Sequence, residues 1–238
     1  MRTEILLNTV GLWSGYGGKP VLQGVDMDVR AGEIVAVIGR NGVGKSTLMK
    51  SLIGLLPTDK GSVVFGGTAI DALAAHKRAR LGIGYVPQGR DVFPRMSVFE
   101  NLAVGLSISG KAAPEGRIEE IFGYFPILSE RRDQRAGTLS GGQQQQLAIG
   151  RVLMGSPSLI LLDEPSEGIQ PNIVQDIARI MVELNLKTGV SIVFVEQNID
   201  MIRAMAQRCY VMDKGRITDE IPPETLEDRD AVRRFLAV

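Results

Sequence analysis

The chain has 238 residues, 44% hydrophobic and 23% charged, which suits one large globular unit with a substantial core. Its 27 basic residues balance 27 acidic ones, so overall charge gives no footing for nucleic acid, which needs a net basic surface. The single cysteine, Cys209, excludes an internal disulfide and suits a reducing compartment, and no stretch approaches the ~20 apolar residues that span a bilayer.

The first apolar stretch, Ile5 to Leu7, is too short for the apolar region of a signal peptide. A cytosolic chain is therefore expected, reaching a membrane only through partners. Ile34–Ile38 reads as a strand covered on both faces, because it is short, aliphatic and without strict alternation. It runs into Gly39-Arg40-Asn41-Gly42-Val43-Gly44-Lys45-Ser46-Thr47, and a helical pattern follows from Leu48 to Leu56. This is the Walker A spacing in its required context, strand before and helix after. Gly39, Gly42 and Gly44 let the backbone curl so that its N–H groups face inward, and the helix N-terminus completes an anion cradle. Lys45 can reach β- and γ-phosphates, and the Ser46 hydroxyl can ligate Mg²⁺. Asn41 and Thr47 complete the expected nucleotide contacts. An ordinary glycine-rich turn would not need this order of elements. No Asn-Lys-x-Asp guanine signature occurs, which disfavours a GTPase.

From about Gly89 to Leu153 the pattern is mostly helical, interrupted by glycines, prolines and charges. It reads as a helical subdomain inserted between strands of a single domain spanning residues 1–238. Within it, Leu139-Ser140-Gly141-Gly142-Gln143 opens a helix marked by Leu147, Ala148 and Val152. Ser140 and the Gly141 and Gly142 N–H groups can form a second anion-binding helix start, although a simply capped helix is the ordinary reading. One ATP needs one phosphate loop, so a second such surface suits an ATP held by another subunit.

Leu159–Leu162 reads as a buried strand ending in Asp163 and Glu164, at the strand end where ligands bind in open α/β sheets. Asp163 is placed to hold Mg²⁺ through water, and Glu164 to polarise the attacking water. An amphipathic helix follows Pro171, with Ile173, Ile177, Ile180, Met181 and Leu184 at helical spacing. Ile192–Val195 is a third buried strand. The tail from Pro222 reads as one short helix carrying Leu226, Val232 and Phe235. Alternation of strands and helices predicts an α/β fold with a mainly parallel sheet.

In the order and spacing of these motifs the chain resembles the ATPase subunits of ABC transporters, over essentially its whole length. The resemblance implies a P-loop NTPase core of that type with an N-terminal antiparallel β part. It places the adenine-stacking aromatic at Tyr16 and the nucleotide-sensing glutamine, touching Mg²⁺ and water, at Gln88. It makes Ser140, Gly141, Gly142 and Gln143 the signature that closes over the ATP of a second, head-to-tail ATPase subunit. The stretch Gly89 to Glu100 is then expected to help receive a membrane subunit. Two positions depart from the family pattern: Gln197 stands in place of the switch histidine, and Gln170 in place of the aspartate ending the D-loop. Gln197 is expected to act in catalysis by positioning and charge stabilisation.

Val195-Glu196-Gln197-Asn198 and Glu167 to Pro171 resemble the shorter ATPase of branched-chain amino acid importers and their urea and short-chain amide relatives. Such importers pair two different ATPases with two membrane permease subunits and a periplasmic binding protein, at the cytoplasmic face of the membrane. An exporter or lipopolysaccharide-type ATPase, and a non-transport ABC ATPase, remain as alternatives. The sole histidine, His76, lies far from position 197 and is expected at the surface.

Overall fold

The computed structural model describes residues 4–108 and 115–236. In chain order the elements are β1 (Ile5–Tyr16), β2 (Lys19–Arg30), β3 (Ile34–Ile38), α1 (Lys45–Ile53), β4 (Lys60–Phe65), β5 (Thr68–Ala69), α2 (Ala75–Arg80) and β6 (Ile83–Val86). Then come α3 (Val98–Ile108), α4 (Arg117–Tyr124), α5 (Pro126–Glu130), α6 (Gly141–Leu153), β7 (Leu159–Asp163) and α7 (Pro171–Thr188). The chain closes with β8 (Ser191–Val195), α8 (Ile199–Met205), β9 (Arg208–Asp213), β10 (Arg216–Ile221) and α9 (Arg229–Leu236).

The central sheet has the order β10-β9-β3-β8-β7-β6. Its strands β9, β3, β8, β7 and β6 run parallel, and β10 is antiparallel at one edge. Alternation along each strand divides the core in two. Ile34, Ala36, Ile38, Ile160, Leu162, Ile192 and Phe194 face one cluster, with side chains of α3, α6, α7 and α8. Val35, Val37, Leu159, Leu161, Val193 and Val195 face the other, with α1 and strands β1 and β2. β3, β7 and β8 are buried at every position, which is why they lack a polar face in the sequence. The second layer is an antiparallel sheet, β2-β1-β4-β5, built on the β1–β2 hairpin.

Helices α3 to α6 fill most of the stretch between β6 and β7. α3 and α6 approach closely at Gly105, where a Cβ would lie 2.1 Å from the Arg151 carbonyl oxygen. The phosphate-loop helix α1 starts at Lys45 rather than Leu48 and ends at Ile53, because Gly54 takes a left-handed cap at φ 84°. Its C-terminal carbonyls are met by a buried guanidinium: Arg78 Nη1 donates to Ser51 O (2.8 Å) and Leu52 O (2.9 Å). A cation at this helix end complements the macrodipole and fixes α1 on α2. The tail is not one helix. Pro223–Glu227 forms a separate 3₁₀ turn that buries Leu226, and α9 follows after Asp228. His76 is exposed on α2.

Candidate nucleotide site

The site lies at the C-terminal ends of β3, β7 and β8, where their carbonyls give way to loops. Gly39, Gly42 and Gly44 have φ of 148°, 79° and 112°, a region costly for any residue with a Cβ. Gly39 is constrained further, since a Cβ there would sit 2.3 Å from the Met212 carbonyl oxygen. Gly44 caps α1 with no side-chain hydrogen bond, so the first-turn amides remain available to an anion. Lys45 is only 4% exposed and its Nζ donates to the Gly39 (2.8 Å) and Arg40 (3.0 Å) carbonyls. Burial pulls its pKa below the usual lysine value, opposed by Glu164, Glu196 and Asp163.

Ser46 Oγ donates to Asp163 Oδ1 at 2.9 Å, joining the loop to the end of β7. The other carboxylate oxygen accepts from Tyr85 OH at 3.2 Å. Burial raises the Asp163 pKa, while the Ser46 and Tyr85 hydrogen bonds act against that rise. A hydroxyl and a carboxylate facing each other are hard oxygen donors of the kind Mg²⁺ takes alongside phosphate oxygens and water. The residues present fit that ion.

Glu164 has φ 48°, an unusual backbone region for a non-glycine residue, stabilised by its N–H donating to Val195 O at 3.1 Å. Its carboxylate is held from two sides. Gln88 Nε2 donates to Oε2 (3.1 Å) and Gln197 Nε2 to Oε1 (3.4 Å). Gln197 Nε2 also donates to Asn41 Oδ1 at 2.6 Å, so one amide links the phosphate loop to the acid. Burial raises the Glu164 pKa, Lys45 lowers it, and Asp163, Glu167 and Glu196 raise it further. That environment suits a group that takes a proton.

The fold thus gathers Asn41, Lys45, Ser46, Gln88, Asp163, Glu164 and Gln197, drawn from distant parts of the chain. It does not bring Ser140–Gln143 to the same loop: among the described residues no hydrogen bond joins them to Gly39–Thr47. Ser140 and Gln143 instead form a reciprocal capping box, with Ser140 N donating to Gln143 Oε1 (3.0 Å) and Gln143 N to Ser140 Oγ (3.4 Å). Gly142 is needed for packing, since a Cβ would lie 2.8 Å from Ile173 Cγ2. Ser140 remains exposed at the helix start. Tyr16 is 47% exposed at the β1–β2 hairpin, beside Lys19. Thr47 is buried in α1.

Sequence reasoning missed Tyr85, Glu196 and the side-chain role of Arg90. Glu196 is 2% exposed and accepts from Ser166 N (3.1 Å), Ser166 Oγ (2.5 Å), Gln197 N (2.8 Å) and Asn198 N (3.0 Å). It pins the segment after β7 to the segment carrying Gln197. The available signal was an acid placed directly after a fully apolar strand. Arg90 turns toward the Glu167 and Gly168 carbonyls, away from the surface cavity of about 690 Å³ lined by Asp91, Val92, Phe93, Arg151 and neighbours.

A phosphate loop, a hydroxyl and carboxylate suited to Mg²⁺, and a second, poised carboxylate together define a phosphate-loop ATPase. Comparison narrows the class. The profile of the family described as ABC transporter matches residues 22–167. The chain is 45% identical over 202 residues to the high-affinity branched-chain amino acid transport ATP-binding protein BraG of Pseudomonas aeruginosa, covering 85% of this chain and 86% of BraG. It is 36% identical over 234 residues to the lipopolysaccharide export system ATP-binding protein LptB of Escherichia coli, covering 97% and 96%. It is also 36% identical over 212 residues to the probable branched-chain amino acid transport ATP-binding protein LivF of Archaeoglobus fulgidus, covering 89% and 90%. The crystal structure of a nucleotide-free ATP-binding cassette from an ABC transporter superposes with a TM-score of 0.85 at 29% identity, covering 96% of this chain and 97% of that one. The chain belongs to the ABC transporter family, as an ATP-binding and ATP-hydrolysing subunit.

Proposed function

We propose that this chain hydrolyses ATP to power a membrane importer of branched-chain amino acids, urea or short-chain amides. The observation that carries the ATPase chemistry is the grip of Gln88 and Gln197 on Glu164 beside the Ser46–Asp163 pair. In this reading the triphosphate enters the cradle at α1 and Lys45 turns from the Gly39 and Arg40 carbonyls to the γ-phosphate. Ser46, Asp163 through water, and Gln88 would hold Mg²⁺, which when bound would supply charge neutralisation at the phosphates. Glu164 takes the proton of the attacking water. Gln197 donates to the developing charge on the γ-phosphate but carries no proton, since an amide does not titrate near neutral pH. Tyr16 stacks on adenine.

The signature face supports a paired arrangement. Gly141 and Gly142 belong to the first turn of α6, where their N–H groups have no intrahelical acceptor, and among the described residues no hydrogen bond ties them to the chain's own phosphate loop. A second ATPase subunit, head to tail, would offer its nucleotide to them. Two permease subunits, contacted along Gly89 to Glu100, would convert the cycle into transport, with a periplasmic binding protein acting through the permeases. Among the described residues no helix is long and apolar enough to cross a membrane, so the permeases would hold the chain at the cytoplasmic face in this reading.

BraG and LivF support the amino acid reading, and the segment from Glu167 to Pro171, together with the glutamine run Gln143 to Gln146 after the signature, leans toward the urea or amide branch. A second reading, lipopolysaccharide export, draws support from LptB, whose similarity spans more of the chain. Affinity purification of the tagged chain from native membranes, with radiolabelled uptake in a deletion strain, separates them. Recovery of permeases with a second ATPase and loss of leucine, urea or amide uptake supports import. Normal uptake with a defect in outer-membrane lipopolysaccharide supports export.

A further inference from the structure

Arg90 lies two places after Gln88 in the loop that leaves β6, and its φ is 75°, in the left-handed region disfavoured for a side chain of this size. Asp91, with φ 46°, repeats the unusual conformation. Two consecutive residues of this kind turn the Arg90 guanidinium back across the site. Nη2 donates to the carbonyls of Glu167 (3.0 Å) and Gly168 (3.2 Å). The guanidinium also lies against the start of α6: a Cβ at Gly141 would sit 2.9 Å from Nη1 and 3.0 Å from Cζ. Gly168, at φ 64°, is similarly close, with a Cβ falling 3.3 Å from Nη2.

This placement runs against local stability on two counts. The backbone is in a sparsely populated region. A cation also sits at the positive end of a helix, where the macrodipole favours an anion. No salt bridge of Arg90 exists among the described residues to offset either cost. Meanwhile the same turn is gripped a second time from the same loop, because Gln88 Nε2 donates to Glu167 Oε2 at 3.0 Å as well as to Glu164.

We propose that Arg90 is a positioning residue that fastens the Gln88 loop to the turn at Glu167–Gly168 and to the start of α6, so that nucleotide engaging Gln88 in one site resets the surface this chain presents to a second subunit. The planar fork explains the residue type. Nη2 donates to two adjacent carbonyls while Nη1 and Cζ of the same flat group lie against Gly141, and it is this second, planar contact that a compact ammonium does not reproduce. Gly141 and Gly168 then leave room for that group. When Gln88 leaves Glu164 and Glu167 for the nucleotide, the loop moves, and Arg90 transmits the movement to Gly168 and Gly141.

The inference rests on the nucleotide site assigned above, and its test reports on both. Amide hydrogen exchange is measured on the full chain with and without Mg²⁺ and a non-hydrolysable ATP analogue, adenylyl imidodiphosphate. In the parent, nucleotide is expected to slow exchange at Gly42–Ser46 and to change it at Glu167–Gly168 and Gly141–Gln143 by about threefold or more. In Arg90→Ala, the effect at Gly42–Ser46 should persist and the responses at both remote segments should be lost. Arg90→Lys, which keeps the charge without the fork, should lose them too. A merely structural role would shift exchange equally with and without nucleotide. Remote responses in Arg90→Ala equal to the parent's overturn the proposal, as does a parent with no remote response. Absence of any effect at Gly42–Ser46 in the parent overturns the nucleotide site itself, and the proposal with it.

Discussion

Truncating Gln197 to alanine isolates one of the two positions, with Gln170, that depart from the expected family pattern. The Gln197 amide spans Asn41 Oδ1 at 2.6 Å and Glu164 Oε1 at 3.4 Å, so it stands between the phosphate loop and the proposed base. In the proposed function, that donor turns to the γ-phosphate once nucleotide binds. A hydrogen bond to a charged group contributes about 1.5–3 kcal/mol, and each ~1.36 kcal/mol is tenfold in rate. Gln197→Ala should therefore lower kcat by about 10- to 150-fold, with KM changed less than about threefold. The cost to folding should be small, because the lost contacts lie at a partly exposed site. Gln197→His, which restores a donor, should recover much of the rate. The assay is steady-state phosphate release in the assembled transporter, or single-turnover hydrolysis with the partner subunit's catalytic carboxylate removed. Turnover unchanged in Gln197→Ala would refute the positioning argument. A parent site silent in the single-turnover assay, with no further effect of the substitution, would mean that the site is degenerate.

Lys45→Ala should weaken ATP binding by about 10- to 150-fold, since it removes a charged donor to phosphate; isothermal titration with full affinity would contradict this. Tyr16→Ala should weaken ATP binding roughly five- to 150-fold, from ~1–3 kcal/mol of base stacking, and Tyr16→Phe should leave it nearly unchanged. Burial pushes the Cys209 thiol up to about 12, so it stays protonated at pH 8 in the native chain. Iodoacetamide should then modify native Cys209 at least about 100-fold more slowly than the denatured chain. The sign follows for stability: the unfolded chain loses this proton near pH ~8.5, so stability falls as pH rises from there toward 12, readable from urea midpoints against a Cys209→Ala control.

The geometry of the phosphate loop was legible because one stretch carries it. Glycine spacing, the lysine and the hydroxyl all follow one strand, and their conformations are local. The same is true of the acids at the end of β7. The sheet was legible where burial on both faces made its strands almost wholly apolar, as in β3, β7 and β8. What the sequence hid depends on contacts between distant segments. Glu196 holds Ser166 across 30 positions, and Arg90 reaches Glu167 across 77. No periodicity encodes such pairs. Arg90 also reads as an exposed loop cation until its positive φ turns it inward. Leu226 was grouped with Val232 and Phe235 on one helix because their spacing permits it, but the chain turns at Asp228 between them.

The central claim is that Glu164 takes the proton from water while Lys45 and the loop hold the nucleotide. Substituting Glu164 by glutamine keeps its shape and its place between Gln88 and Gln197 while removing the base. Single-turnover hydrolysis of ATP, measured beside ATP affinity on the same preparation, separates the two functions. The account predicts hydrolysis about 10²–10⁴ slower, with affinity unchanged within about threefold. Hydrolysis at the parent rate with full occupancy would contradict it.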